Sequence, residues 1–154
     1  MKWSGGCLCG AVKYVAKGEP IIVGSCHCIN CRKMSGAAFV TYVFFKPEQF
    51  EWVQGELGTH ASTPDLVRAF CRDCGSPISA WRQSERDKWI NVWAGSLDQA
   101  EKLTPQHHIY AKDELPWLHL EDGLERFETF SKKVLADLGV DSPARDEQMK
   151  SNFE

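Results

Sequence analysis

The chain has 154 residues, 43% of them hydrophobic, which is enough for one domain with a proper core and too short for two large ones. Its formal net charge of -3 at pH 7 argues against a nucleic-acid partner or an anionic membrane surface, which normally require a basic excess. No stretch resembles a membrane span or the apolar part of a signal peptide, so we expect a cytoplasmic protein with reduced cysteines.

Short runs rich in β-branched and aromatic residues predict strands, with glycine, proline or polar turns between them. In chain order these runs are AVKYVA (11–16), IIVGSC (21–26), AAFVTYVFF (37–45), LVRAFC (66–71), PISAW (77–81) and KWINVWAG (88–95). In the last run, alternation places Trp89, Asn91 and Trp93 on one face, which is typical of a strand at the boundary between two layers. The two tryptophans then either pack in the core or form an aromatic wall.

The character of the sequence changes after residue 130. The run SKKVLADLGV predicts a short helix that ends at Gly139, and the following DSPARDEQMKSNFE is polar, which favours a frayed or disordered tail. We therefore expect a mainly β fold of antiparallel sheets with little helix over residues 1–130. Residues 131–154 are expected to add only the short helix and the polar tail. Nothing in the sequence predicts an oligomeric state.

The seven cysteines fall into three groups along the chain. They are Cys7 and Cys9, then Cys26, Cys28 and Cys31, then Cys71 and Cys74. An odd number cannot pair entirely into disulfides, and closely spaced cysteines in a reducing compartment indicate metal binding or catalysis. The C-x2-C spacing is common in zinc sites, because two thiolates on a tight turn can reach one ion.

Glycine placement divides the cysteines into a set of four and a set of three. Gly10 follows Cys9 and Gly75 follows Cys74, and a glycine after a ligand permits a positive φ that turns backbone N–H groups toward the sulfurs. This pattern predicts one closed structural zinc site, held by Cys7, Cys9, Cys71 and Cys74.

Cys26, Cys28 and Cys31 remain as three ligands for a second ion. Three protein ligands with an exchangeable fourth position are the general form of a catalytic zinc site. The alternative is a second closed site, in which His27 or a distant histidine is the fourth ligand.

A site of three thiolates favours sulfur chemistry. Zinc with three thiolates has a formal charge of -1, so it acidifies water less than a histidine-rich zinc does, and its softness suits a substrate thiol as fourth ligand. This predicts formation or cleavage of a carbon–sulfur bond. The alternative is a non-catalytic, zinc-stabilised module that binds a thiol or a protein. Arg32 and Lys33 follow the third cysteine and could offset the negative charge or bind a substrate carboxylate.

The chain resembles the glutathione-dependent formaldehyde-activating enzyme family, also known through the centromere-protein V/GFA domain. The likeness covers roughly residues 3 to 128 and rests on GCLCG, SCHCINCRKMSGAAF, RAFCRDCGSPIS, VWAGSLD and PQHHIYAKDELPW. Where the formaldehyde-handling members carry Trp-Lys-Pro, this chain has Arg32-Lys33-Met34, and its HHIYAKDELPW segment is similar to the broad, mostly uncharacterised branch.

The resemblance implies a β-tent fold of antiparallel sheets with two zinc ions per chain. By this likeness Cys7, Cys9, Cys71 and Cys74 hold the structural zinc, and Cys26, Cys28 and Cys31 hold the catalytic one. It implies a carbon–sulfur lyase similar to S-(hydroxymethyl)glutathione synthase, with a small thiol or thiol adduct such as that of glutathione and formaldehyde as partner. His108, Ile109 and Trp117 belong to the motif of the broad branch, where they either pack in the core or contact substrate; no general acid or base is assigned.

Overall fold

Strands make up most of the regular structure in the computed structural model, which describes residues 1–140. Two α-helices, α1 (Ile29–Ser35) and α2 (Lys132–Asp137), accompany eleven strands. The strands are β1 (Lys2–Gly6), β2 (Lys13–Lys17), β3 (Ile22–Cys26), β4 (Val40–Phe45), β5 (Phe50–Gln54), β6 (Leu57–Ala61), β7 (Leu66–Cys71), β8 (Pro77–Arg82), β9 (Ile90–Trp93), β10 (His107–Ile109) and β11 (Glu125–Arg126). Each of the six predicted strands is present, so the mainly β prediction is confirmed.

The strands form three sheets, ordered β1-β2-β5, β11-β10-β3-β4-β9 and β6-β7-β8. Neighbouring strands are antiparallel except at β10, which runs parallel to both β3 and β11. The five-stranded sheet is therefore mixed, while the remaining strand pairs are antiparallel, as the sequence predicts for most of the domain. A parallel neighbour needs a long crossover, and the chain supplies one between β3 and β10.

The five-stranded sheet separates two buried hydrophobic clusters. Tyr42 and Phe44 of β4 pack into one cluster, while Val43 and Phe45 pack into the other. On β9, Trp93 belongs to the first cluster and Val92 to the second, as the predicted alternation at a layer boundary requires. Because both faces of this sheet are covered, residues on β3, β4 and β9 are held rigidly near the centre of the molecule.

The C-terminal helix packs onto the first of these clusters. Ser131 caps α2 by accepting a hydrogen bond from the backbone N–H of Lys133 at 3.1 Å. Val134, Leu138 and Val140 are buried among the side chains of the same cluster. The predicted short helix is therefore present and contributes to the core, while the predicted polar tail after residue 140 lies outside the described residues. The division at residue 130 stays a prediction.

Membrane insertion through a helix finds no support in the described part of the chain, where no helix is long and apolar enough to cross a bilayer.

Candidate metal centres

Four cysteines from distant parts of the chain converge into one cluster. The segment after β1 carries Cys7 and Cys9, while Cys71 ends β7 and Cys74 lies in the turn that follows. Their sulfur atoms all lie within 4.8 Å of one another, with 3.5 Å between Cys7 and Cys9 and 3.8 Å between Cys9 and Cys71. The structure thus brings together the four residues to which the sequence assigns a structural zinc.

Backbone turns shape this four-sulfur cluster. Gly10 and Gly75 have φ values of +79° and +74°, the left-handed region that the sequence predicts for the glycine after each second cysteine. The backbone N–H of Val12 donates to Cys7 Sγ at 3.2 Å. Hydrogen bonding by the hydroxyl and backbone N–H of Ser76 lowers the pKa of Cys74 to about 6. These contacts favour the thiolate form that a metal requires.

The sulfur spacing fits a zinc ion. With zinc–sulfur bonds of about 2.3 Å, neighbouring sulfurs of a tetrahedral site lie about 3.8 Å apart. The distances from Cys9 to Cys7 and to Cys71, 3.5 and 3.8 Å, match this edge length. Four thiol donors complete the tetrahedron, so this cluster can hold zinc without any further ligand.

The other three cysteines form a second cluster inside the core. Cys26 ends β3, Cys28 is the N-cap of α1, and Cys31 lies within that helix. The three sulfurs lie within 4.8 Å of one another, and all three residues are buried. Three soft donors at this spacing fit a zinc ion and leave one tetrahedral position without a cysteine.

Helix α1, which the sequence reading misses, creates the spacing of the three-sulfur cluster. Its N-cap is Cys28, whose sulfur accepts a hydrogen bond from the backbone N–H of Cys31 at 3.3 Å. Gly36 ends the helix in the left-handed conformation, after Arg32 and Lys33 in the last turn. Basic residues followed by a glycine are a helix-stop signal that marks this element in the sequence.

A buried cation that the sequence reading did not single out, Arg68 of β7, lies beside the three-sulfur cluster, while the roles suggested for Arg32 and Lys33 stay predictions. Arg68 is only 6% exposed, and its Nη1 donates to Cys31 Sγ at 3.7 Å. Hydrogen bonds from the thiols of Cys26 and Cys28, followed by the charge and hydrogen bond of Arg68, hold the pKa of Cys31 well below its usual range. A buried arginine in an apolar strand normally has a partner, and this is the signal in LVRAFC that indicates a role for Arg68.

An aromatic cavity of about 100 Å³ adjoins the three sulfurs. Its wall contains Cys26, Cys28, Cys31 and Arg68, with apolar surface from Phe44, Trp81, Ile109 and Phe130 among others. Trp89 and Trp93 also line it and are 3% and 8% exposed. They therefore serve as both core and aromatic wall. The cysteine cluster can accept a small ligand from this side.

His27 points away from the three sulfurs. Its Nε2 lies 2.8 Å from Nδ1 of His108, whose Nε2 lies 2.7 Å from the Asp122 carboxylate. In the neutral form of His108, the carboxylate accepts the Nε2–H of His108 and the Nδ1 of His108 accepts the Nε2–H of His27. Burial lowers the pKa of His27.

Neither His27 nor any other histidine in residues 1–140 joins the three sulfurs as a possible ligand. His108, predicted either to pack or to contact substrate, is buried behind His27 and does not line the cavity. Ile109 does line it, whereas Trp117 is 66% exposed on the surface. The His27–His108–Asp122 chain escapes sequence analysis, since it joins residues 81 and 14 positions apart.

Comparisons with known proteins agree with this architecture. The sequence model of a family described as glutathione-dependent formaldehyde-activating enzyme matches residues 2–113. A Schizosaccharomyces pombe protein named as an uncharacterized lyase is 30% identical over 94 residues, which are 60% of this chain and 67% of that protein. A crystal structure of a Rhodobacter sphaeroides protein aligns with a TM-score of 0.50 at 20% identity, over 80% of this chain and 98% of that one. This last similarity concerns the fold alone.

Proposed function

The chain belongs to the glutathione-dependent formaldehyde-activating enzyme family, and on this premise we propose that it is a zinc-dependent carbon–sulfur lyase-type enzyme. Its substrate would be a thiol or a thiol–aldehyde adduct of the glutathione type. The observation that carries the proposal is the contrast in ligand number. Four sulfurs complete one site, while the buried trio of Cys26, Cys28 and Cys31 faces a cavity with one tetrahedral position left for a ligand.

Cys26, Cys28 and Cys31 would hold the second zinc, and Cys7, Cys9, Cys71 and Cys74 the first. When bound at the three sulfurs, zinc would supply a soft Lewis acid that stabilises a substrate thiol in its thiolate form. Three thiolates and one divalent ion sum to a charge of -1, which Arg68 balances from within contact distance of Cys31. The aromatic rings that line the cavity would limit the access of bulk water to the reacting sulfur.

The reaction that suits such a site is reversible addition of a thiol to an aldehyde. In the forward direction the thiol sulfur bonds to the carbonyl carbon, the C=O double bond becomes a C–O single bond, and the thiol proton ends on the new hydroxyl. The reverse direction cleaves the carbon–sulfur bond and returns thiol and aldehyde. No electrons are exchanged with an external partner, so the chemistry needs no redox cofactor.

The thiol chemistry suits a reducing compartment, in which both clusters keep their sulfurs free for metal. We therefore expect the protein to act in the cytoplasm on a small-molecule partner. The net charge of -3 favours neither nucleic acid nor an anionic membrane as partner.

Elemental analysis of the purified protein and of Cys28→Ser tests the metal assignment. We expect about two zinc ions per chain in the wild type and about one in the variant, since two sulfurs rarely retain zinc at a site built for three. An unchanged ratio of zinc to protein would contradict the assignment of the three sulfurs.

A turnover screen tests the activity. The zinc-replete protein is incubated with adducts of small thiols and aldehydes, and release of free thiol is followed against Cys28→Ser as control. We expect turnover that the variant loses. Tight thiol binding by the wild type without any turnover would overturn the enzyme and favour the non-catalytic thiol-binding module.

A further inference from the structure

A hydrogen-bonded chain of three side chains leads from the three-sulfur cluster toward the surface, and the proposed chemistry does not use it. It runs from His27 through His108 to Asp122, over distances of 2.8 and 2.7 Å. Both histidines are buried, while the side chain of Asp122 is 36% exposed. Burying two imidazole rings is costly unless their polar atoms are paired, so the pairing within this chain matters for the structure around it.

The inner end of the chain lies between two of the three sulfur donors. His27 separates Cys26 from Cys28 in the sequence. Its Nδ1 is buried and meets no hydrogen-bond partner within residues 1–140. In this part of the chain, the contact of Nε2 with His108 is therefore the only hydrogen bond that holds the His27 ring. Without it the ring would be buried with neither nitrogen paired, which folded proteins avoid.

Strand β10 holds the same segment through its backbone. Ile109 pairs with Cys26 in the parallel register of β10 with β3, and the Ile109 carbonyl oxygen accepts the backbone N–H of His27 at 3.1 Å. The ring of His27 also stacks on Phe39, with 5.2 Å between centroids. A main-chain bond, a ring contact and one side-chain bond thus fix the turn from Cys26 to Cys28. Only the side-chain bond requires a particular polar residue at its other end.

The outer end sets the direction of the chain. A carboxylate only accepts hydrogen bonds, so Asp122 takes the Nε2–H of His108 and leaves Nδ1 of a neutral His108 as an acceptor. That acceptor takes the Nε2–H of His27. The other oxygen of Asp122 accepts the backbone N–H of Leu124 at 3.1 Å, which holds the carboxylate in place. Each donor meets one acceptor, and together these bonds orient the His27 ring.

We propose that His108 and Asp122 are positioning residues for the three-sulfur site. They orient His27 and, through it, hold Cys26 and Cys28 at the separation that a metal ion requires. The zinc affinity of this cluster then depends on His108, although His108 is not one of its donors. The inference rests on the proposed function only for the presence of zinc at the three sulfurs.

Zinc competition against a metallochromic chelator tests the proposal in His108→Leu. This variant removes the acceptor for His27, and we expect the zinc affinity of the three-sulfur cluster to fall about 10- to 100-fold, the usual effect of losing a residue that orients a metal ligand. The four-sulfur cluster of the same molecule is the internal reference and should keep its wild-type affinity. In folded protein fully loaded with Co²⁺, the sulfur-to-cobalt charge-transfer absorption should also weaken, which a loss of stability alone would not produce.

Two further variants separate the hydrogen bond from packing. In His108→Asn, the side-chain Oδ1 lies as many bonds from the backbone as the imidazole Nδ1, so it can accept from His27 and should restore most of the lost affinity. His107→Leu is the matched control, because His107 precedes His108 on β10, is also buried, and shares its hydrogen bond with Tyr42 instead. It removes an imidazole from the same strand and should leave the affinity of the three-sulfur cluster at the wild-type value.

The outcomes separate the positioning role from the proposed function. A wild type that binds only one zinc ion would overturn both. If the wild type binds two, an unchanged affinity in His108→Leu, or an equal loss in His108→Asn, would overturn the positioning role and leave the proposed function intact. Should His108→Leu fail to fold, as judged by circular dichroism, His27→Phe removes the donor of the same bond and keeps a ring against Phe39. An unchanged affinity there would also refute the role.

Discussion

The two cysteine clusters use the same donor atoms in opposite surroundings. The four-sulfur cluster joins the loop after β1 to the end of β7 and the turn that follows it, and its Cys9 and Cys74 are exposed to solvent. The three-sulfur cluster lies within the core, and Cys26, Cys28 and Cys31 are each at most 7% exposed. One cluster has four donors, enough to saturate a tetrahedral ion, and the other has three, which would leave one position facing an aromatic cavity.

This difference separates stability from chemistry. Loops at the surface have few packing contacts of their own, so a metal that ties them together contributes directly to folding. The residues of the three-sulfur cluster are fixed by β3, by α1 and by the hydrophobic cluster around them. That region should keep its shape without an ion, which permits a site tuned for ligand exchange.

The largest effect that this comparison predicts is a difference in unfolding free energy between two variants, each of which loses one cysteine from one cluster. Cys71→Ser removes a buried ligand of the closed site, and we expect a loss of at least about 4 kcal/mol in unfolding free energy, because structural zinc contributes on the order of 10 kcal/mol or more to small zinc domains. Cys28→Ser should cost only about 1–2 kcal/mol, a usual value for one buried substitution. Urea unfolding of both variants, each with its zinc content, measures the difference. Equal losses would contradict the division of roles.

A second prediction concerns the charge beside the three-sulfur cluster. Arg68→Met removes the buried guanidinium next to Cys31, and we expect the zinc affinity of this cluster to fall about 10- to 100-fold, as is common for changes just outside a ligand shell. Competition with a metallochromic chelator measures the affinity. Arg72→Met is the matched control, because Arg72 lies near the four-sulfur cluster but is solvent-exposed and paired only loosely with Glu56 at 3.8 Å. A similar fall in both variants would remove the special role of Arg68.

The sequence predicts the features of the two clusters that depend on neighbouring residues, and it misses those that depend on contacts between distant ones. The strands, the φ-positive glycines and the grouping of the sulfurs follow from local composition and spacing. The parallel placement of β10 and the approach of Arg68 to Cys31 arise from contacts between distant residues, which no local pattern records. Helix α1 has only seven residues, and closely spaced cysteines dominate its part of the sequence. A helical repeat of apolar residues cannot be recognised over so short a segment.

The third prediction uses the buried histidines that accompany only the three-sulfur region. Burial lowers the pKa of His107, which shares a hydrogen bond with the Tyr42 hydroxyl in the cavity wall. Below pH 6.5, the ordinary histidine value, the unfolded chain binds the proton more readily than the folded one, so stability falls as the pH drops. The slope from this one group is at most about 1.4 kcal/mol per pH unit.

Urea unfolding at pH 7.5 and 5.5 measures that loss for the wild type and for His107→Gln, which cannot titrate. We expect the variant to lose less stability between the two values than the wild type does. Protonation of the cysteines is common to both proteins, so the difference isolates the histidine. His60→Gln, on the exposed strand β6, serves as control and should follow the wild type. Identical losses in all three proteins would show that His107 does not contribute.

The smallest predicted effect comes from one glycine beside each cluster. Gly75 and Gly36 have φ values of +74° and +70°, and an added Cβ would meet no atom within 4 Å at either position. Gly75→Ala and Gly36→Ala should therefore each cost about 1 kcal/mol, the conformational penalty of a left-handed alanine. The losses should be equal, but a chelator should release zinc faster only from the four-sulfur cluster in Gly75→Ala and only from the three-sulfur cluster in Gly36→Ala, since each turn holds its own ligands. Release from both clusters in either variant would mean that the two sites are coupled, and that closed and open coordination are not independent properties of this fold.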